Sequence, residues 1–381
     1  MSALWRFIAL YAAMYGAFGV SSPFLPAFFE MRGLRPEQLG VLFAAGTAIR
    51  LVSGPLCGRL ADLTQALRAV LAMCAALAAL VALGLLTASG FSALLTISVL
   101  YAAALAPTTT LADALALGAA PGASRRFEYG WVRGTGSAAF IVGTLVSGQV
   151  VGTWGLASIL VLQAALLVAA AGTALLVPEP GVAPVVADHA PPASALTLLR
   201  MPLFRRVMLV AALVLGSHAM HDAVAVIRWG AAGVTPAMAS VLWSESVAAE
   251  VVVFFVIGPP LVKRLGPAGV VALAAAAGVL RWVVMASTTD VRALALVQPL
   301  HGLTFAALHL ACMRLIPAIV PPQLAATAQA MYALGAGATT AVLTLASGQL
   351  YASLGPRAFL VMALLCAVAA PAALGLRSAR R

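Results

Sequence analysis

The sequence predicts an all-α integral membrane protein, with twelve transmembrane helices in two six-helix bundles related by a parallel pseudo-twofold repeat. Three observations predict this class. Apolar residues make up 63% of the 381 positions, charged residues only 9%, and the mean hydropathy is +1.06, so the chain has too little polar surface to cover a water-soluble globule. Apolar segments of roughly 20 residues, each long enough to cross about 30 Å of hydrocarbon as a helix, recur from Trp5 to Leu376. A shift of 200 residues then superposes the halves, laying Gly40-Val-Leu-Phe over Ser240-Val-Leu-Trp, Ser147-Gly-Gln149 over Ser347-Gly-Gln349, and Gly58 over Gly258. With six spans per half, both halves keep the same orientation, which makes the repeat parallel.

Taken in order, the first bundle (1–177) is expected to hold helices at about 4 to 29, 38 to 58, 69 to 88, 92 to 119, 129 to 152 and 157 to 177. The first segment is too long for the core of a signal peptide and lacks a small-residue cleavage site, so it counts as helix one. Residues 178–203, rich in Pro and Ala and holding Asp188 and His189, are expected to form a cytoplasmic linker. The second bundle (204–381) continues at about 204 to 229, 237 to 262, 269 to 287, 292 to 317, 326 to 350 and 357 to 376.

The net charge of +11 could suggest a nucleic-acid partner, but the basic residues cluster at helix ends rather than on one face. Topology accounts for them. With both termini in the cytoplasm, clusters such as Arg125-Arg126, Arg205-Arg206, Lys263-Arg264 and Arg380-Arg381 fall on the cytoplasmic side, and only Arg32, Arg35, Arg228, Arg292 and Arg357 fall opposite. That agrees with the positive-inside rule for a bacterial cytoplasmic membrane. Cys57, Cys74, Cys312 and Cys366 are scattered through apolar stretches, which argues for small packing residues and against a disulfide framework or a zinc site.

A charge near the bilayer centre costs about 2.5 to 3.5 kcal/mol on insertion scales, so the charges kept inside the spans imply a cavity, partners or both. The 200-residue shift pairs Arg50 with Glu250 and Tyr101 with His301, which makes an Arg50–Glu250 pair a reasonable expectation. Glu250 and Arg281 lie well inside their helices, with functional roles or a structural ion pair as the readings. His218, His221 and Asp222, spaced three and four apart, converge on one helical face. One helix supplies too few ligands for a metal, so proton relay is the preferred reading. His301 and His309 lie about two turns apart on helix ten, where helix–helix hydrogen bonds are the alternative. Asp113 follows Pro107 and Thr108 to Thr110, a place for a gating kink or for plain packing.

Gly58-Arg-Leu-Ala-Asp62 resembles the signature loop between helices two and three of major facilitator transporters, with Asp62 retained for gating and the second half replaced by Leu63, Gln65, Ala66 and Leu67. Ser124-Arg-Arg126 with Phe127 to Ser137 resembles the helix-five entry of the lactose permease group, which implies that Arg133 points at the ligand. Arg281, His301 and Asp222 match further positions of that group, whereas Thr304 and Gln298 replace its proton-carrying glutamate and a lysine. A closer resemblance, to the phenylpropionate permease family of proton-linked facilitators, is carried by Ser217-His-Ala219, Leu242-Trp243 with Glu250, Arg281-Trp282, and Gln298-Pro-Leu-His301-Gly-Leu-Thr304-Phe305-Ala-Ala-Leu-His309.

These resemblances imply the major facilitator fold and a proton-coupled symporter that takes a small organic acid, phenylpropionate-like aromatic carboxylates included, and needs no cofactor or metal. Arg133, Arg281, His301 and Arg50 would meet the substrate, and Trp243 and Phe305 would pack on a ring. Glu250 first, then Asp222, with His309 alongside, would carry the proton. A monomer in the lipid bilayer is expected. A sugar or nucleoside symporter, then a drug exporter, remain open, as does a polytopic membrane enzyme at greater distance.

Overall fold

The computed structural model describes residues 2–119, 129–178, 195–321 and 324–376, and among these the chain is helical, with no strand. It divides into two compact units: residues up to Val186 with Gly233–Val241, and Ala187–Ala232 with Leu242–Arg381.

In the first unit the expected opening helix is two helices, α1 (Ala3–Ser21) and α2 (Leu25–Met31). Pro23 and Pro26 remove backbone donors around the break, and Pro26 sits in the first turn of α2, where an N–H would have no helical partner in any case. α3 (Pro36–Thr64) runs beyond its expected end and carries Gly58-Arg-Leu-Ala-Asp62 as helix, which corrects the expectation of a loop there. Nothing in that stretch breaks a helix. Gln65, with φ 52° in the left-handed region, does so, and with Ala66 it alone separates α3 from α4 (Leu67–Gly84). α5 (Phe91–Ala119), α6 (Tyr129–Trp154) and α7 (Ser158–Ala174) complete the series.

Small residues let these helices touch, as is usual where lipid offers no hydrophobic drive for association. α1 crosses α6 so closely that a Cβ on Gly19 would overlap the Phe140 carbonyl, and one on Gly143 would overlap that of Gly16. Thr144 donates to the Gly19 carbonyl at 3.0 Å across the same contact. Deeper in, the fully buried Gln163 of α7 reaches Ser21 Oγ at 2.6 Å and the Tyr101 hydroxyl at 2.5 Å, pinning α1 and α5. Arg6 and Arg68 donate to the carbonyls of Leu176 and Val177, just beyond the end of α7.

The second unit holds α8 (Ala195–Arg200), α9 (Pro202–Gly216), α10 (His218–Ala231) and the larger part of α11 (Pro236–Val252). α12 (Gly258–Ser287), α13 (Val291–Val297), α14 (Leu308–Ile319), α15 (Ala325–Leu354) and α16 (Ala358–Leu374) follow. Two single-turn π-helices interrupt it, Val253–Ile257 after α11 and Gly302–Ala307 before α14. They pack on each other, and a Cβ on Gly302 would stand 2.7 Å from the Ala249 carbonyl.

Among the described residues nine apolar segments are long enough to cross a membrane. Two of them, of 52 and 47 residues, break at Gly266 (φ 68°, ψ 161°) and at Gly355 (φ 54°), conformations that only glycine adopts without strain. Those breaks, together with the shorter apolar helix Ser158–Ala174, accommodate twelve crossings. Within the expected linker, Ala195–Arg200 form α8. Asp188 and His189 lie outside the described residues, as do Ser124 to Glu128 of the helix-five motif and the basic residues Arg377, Arg380 and Arg381.

Candidate functional site

Arg281 lies on α12 with no exposure to solvent, on a face set by the helix that restarts after Gly266. Its guanidinium lies 4.5 Å from the ring centre of Trp282. Its partners come from the segment that follows α13. There Pro299, which cannot donate a backbone hydrogen bond, loosens the helix between Gln298 and the π-turn and turns both Gln298 and His301 toward α12. Arg281 Nη1 donates to His301 Nδ1 at 3.1 Å, and Nη2 donates to Gln298 Oε1 at 2.9 Å.

Each partner passes the contact on. His301 Nε2 stands 3.6 Å from Glu250 Oε2, an electrostatic contact slightly beyond a hydrogen bond. The other amide end of Gln298 donates from Nε2 to His221 Nε2 at 3.2 Å, and His221 Nδ1 lies 3.2 Å from Asp222 Oδ1. The two arms therefore leave one buried cation and lead to two partly exposed carboxylates, the Glu250 side chain at 25% exposure and Asp222 at 60%.

The helix-seven trio thus divides. α9 stops at Ser217, whose hydroxyl donates to Val214 O at 2.7 Å and accepts from Trp282 Nε1 at 2.8 Å, and α10 starts afresh with His218. His218 and His221 are buried, while the Asp222 side chain is 60% exposed. His218 Nδ1 lies 3.0 Å from the Leu215 carbonyl and its Nε2 2.9 Å from Thr304 Oγ1. Trp243 is buried and stacked on His221, ring centres 4.9 Å apart. Phe305 is exposed at one face and stacked on His301 at 5.5 Å. His309 is apart from this cluster, between the rings of Phe254 and Tyr332, each 6.0 Å away.

The first unit holds a second polar cluster. Asp113 on α5 accepts from the hydroxyls of Tyr11 on α1 and of Tyr129 on α6, the latter at 2.8 Å. Thr108 and Thr110, just before it, bond their own turn at Leu105 O and Pro107 O. Arg133, half-buried one turn beyond Tyr129, stands 4.8 Å above the ring of Tyr15. Tyr15 stacks on Tyr11 at 5.6 Å and meets Phe18 edge-on at 5.4 Å. Arg50 on α3 and Asp62 near its end are exposed.

Sequence reasoning missed the tyrosines around Asp113 and Arg133, and it took Gln298 as a mere replacement. Tyr11 and Tyr15, one helical turn apart, were a legible signal. For Gln298 no signal existed in the spacing, since His221 is 77 residues away.

A family described as the MFS_1 like family matches residues 4–361. Among curated proteins, the chain is 31% identical over 377 residues to the "Probable 3-phenylpropionic acid transporter" of Escherichia coli (strain K12), with 96% of each chain covered. Among solved structures, the nucleoside transporter NupG is similar with TM-score 0.82, 18% identity and 99% of each chain covered. A bacterial homologue of the human lysosomal transporter Spinster follows with TM-score 0.77, 14% identity and 98% of this chain and 96% of that one covered. At these identities the structural matches establish the fold, and they agree with the two-bundle helical class expected from the sequence.

Proposed function

The chain belongs to the MFS_1 like family and is a multi-pass membrane transporter rather than an enzyme, and on that premise we propose that it is a proton-coupled symporter for a small aromatic carboxylate. The observation that supports the coupling is the fully buried Arg281, linked through Gln298 and His221 to Asp222 and through His301 toward Glu250. A carboxylate in direct contact with a guanidinium is held ionised. One kept a relay away has that restraint weakened, and it can take a proton from one side of the membrane and give it up on the other. Glu250 is assigned the carrier role, with Asp222 second and His309 alongside, in a bacterial cytoplasmic membrane with both termini inside.

For the ligand, Arg133 supplies a cation beside an aromatic wall, Tyr15 and Phe18, which suits a ring bearing an acid group. The similarity to a protein named as a probable 3-phenylpropionic acid transporter supports the same class. Arg281 and His301 in the second unit, and Arg50 in the first, are further residues assigned to the substrate. Trp243, stacked on His221, is assigned to holding that histidine rather than to the ligand, while Phe305 keeps an open face for a ring. Asp62 and Asp113 are assigned to gating.

Proteoliposomes test the coupling. Glu250→Gln should abolish uphill accumulation driven by a pH gradient and keep counterflow of the same substrate. Undiminished uphill uptake by this variant would remove Glu250 from the carrier role.

A further inference from the structure

We infer that Gln298 is a positioning residue that fixes the tautomer of His221 and so assigns proton exchange on α10 to Asp222. The inference rests on the symport reading for its meaning in transport, but its structural content follows from donor and acceptor accounting alone.

An arginine can only donate. Since Arg281 Nη2 lies 2.9 Å from one end of the Gln298 amide, that end must be the oxygen, and the amide cannot flip without setting two donors against each other. The nitrogen end is thereby committed to His221 Nε2, 3.2 Å away. Facing an N–H, Nε2 must accept, so the imidazole proton resides on Nδ1, which donates to Asp222 Oδ1 at 3.2 Å. A second proton on His221 would break the bond to Gln298 and would be buried near Arg281, with the side chain only 4% exposed. Stacking on Trp243 and the edges of Trp229 and Trp282 around the ring deny it water.

The neighbouring titratable groups follow the same accounting. His218 faces the Leu215 carbonyl with Nδ1, so Nδ1 carries a proton, and its Nε2 lies 2.9 Å from Thr304 Oγ1, which also lies within hydrogen-bond distance of the His301 carbonyl. His301 accepts from Arg281 at Nδ1, so its proton sits on Nε2, toward Glu250. Of the three imidazoles, His221 is the one with both ring nitrogens committed in the neutral form. The groups on the two arms assigned to exchange protons are the Asp222 and Glu250 carboxyls, whose side chains are 60% and 25% exposed. Gln298, which touches neither, decides this for Asp222: a glutamine can hold Arg281 and still offer His221 a donor, and a carboxylate cannot.

Gln298→Glu, which preserves size, reverses that polarity. Its oxygen toward His221 can only accept, so Nε2 must donate, and His221, with Asp222 at the other nitrogen, becomes an imidazolium between two carboxylates. Gln298→Met, similar in length and without polar atoms, releases His221 from either rule and controls for packing. The test is nitrogen-15 NMR of protein labelled at histidine and reconstituted in lipid, with the His221 signals assigned by their loss in His221→Asn, together with the pH profile of substrate uptake.

In the unaltered protein, His221 should show a protonated Nδ1 and an unprotonated Nε2 throughout the range in which uptake titrates. In Gln298→Glu both nitrogens should be protonated at neutral pH, and the pH profile should move upward by about one unit or more. In Gln298→Met the two tautomers should mix. Protonated Nε2 in the unaltered protein, or a His221 spectrum that neither variant changes, would overturn the inference. A fall in uptake with the pH profile unmoved would reduce Gln298 to a packing residue and would overturn it too. If the spectra behave as expected while substrate addition moves no protons in the unaltered protein, the positioning stands and the symport reading falls.

Discussion

At the scale of single residues, the chemistry turns on a guanidinium's shape as much as on its charge. Burying one ion costs several kcal/mol even after relaxation, and Arg281 offsets that cost through two directed bonds from one planar fork and the ring of Trp282. A lysine would keep the charge and lose the fork. Arg281→Lys is therefore expected to lose transport by tenfold or more while still reaching the membrane, measured as counterflow against protein amount; near-normal counterflow would show that charge alone suffices. How much of this cluster the sequence discloses depends on the distance along the chain. Spacing alone places His218 and His221 on one helix, and the family resemblance points to Arg281, His301 and Asp222. The link through Gln298 is invisible, because depth in a bundle is shared between helices that the sequence keeps dozens of residues apart.

At the scale of elements, the helices are legible because lipid imposes an almost continuous apolar run on each. Their ends are harder to read, since they are decided by single residues such as Gln65 and Gly266, which leave hydropathy unchanged. Contact between helices depends on missing side chains. Gly143→Val would force α1 and α6 apart at the Gly16 carbonyl, in a place where the obstacle is backbone and cannot swing away. The expected cost is about 1–3 kcal/mol, read as a lower melting temperature in detergent, whereas the same change at Gly152, which has open space around it, should leave the melting temperature nearly unaltered. Equal effects at both positions would show that the close crossing is not what the glycine serves.

At the scale of the whole molecule, the two compact units divide their chemistry. The first gathers tyrosines and an arginine around Asp113; the second gathers histidines and the relay. A ligand that engages the folded protein raises its melting temperature by mass action, by an amount that grows with the logarithm of concentration over Kd. Aromatic carboxylates are expected to do so, and nucleosides and sugars are not; stabilisation by a nucleoside alone would replace the proposed substrate class. The duplication that first disclosed this architecture has a limit set by the two π-turns. Each holds one residue more than the α-turn it replaces, so the side chains beyond it are turned by about 100° relative to an unbroken screw. α3, the counterpart of the helix that carries the first π-turn, is α-helical throughout. The halves therefore agree in residue count past Val253 and disagree in angular phase, and two residues matched there by number do not sit at the same angle on their helices.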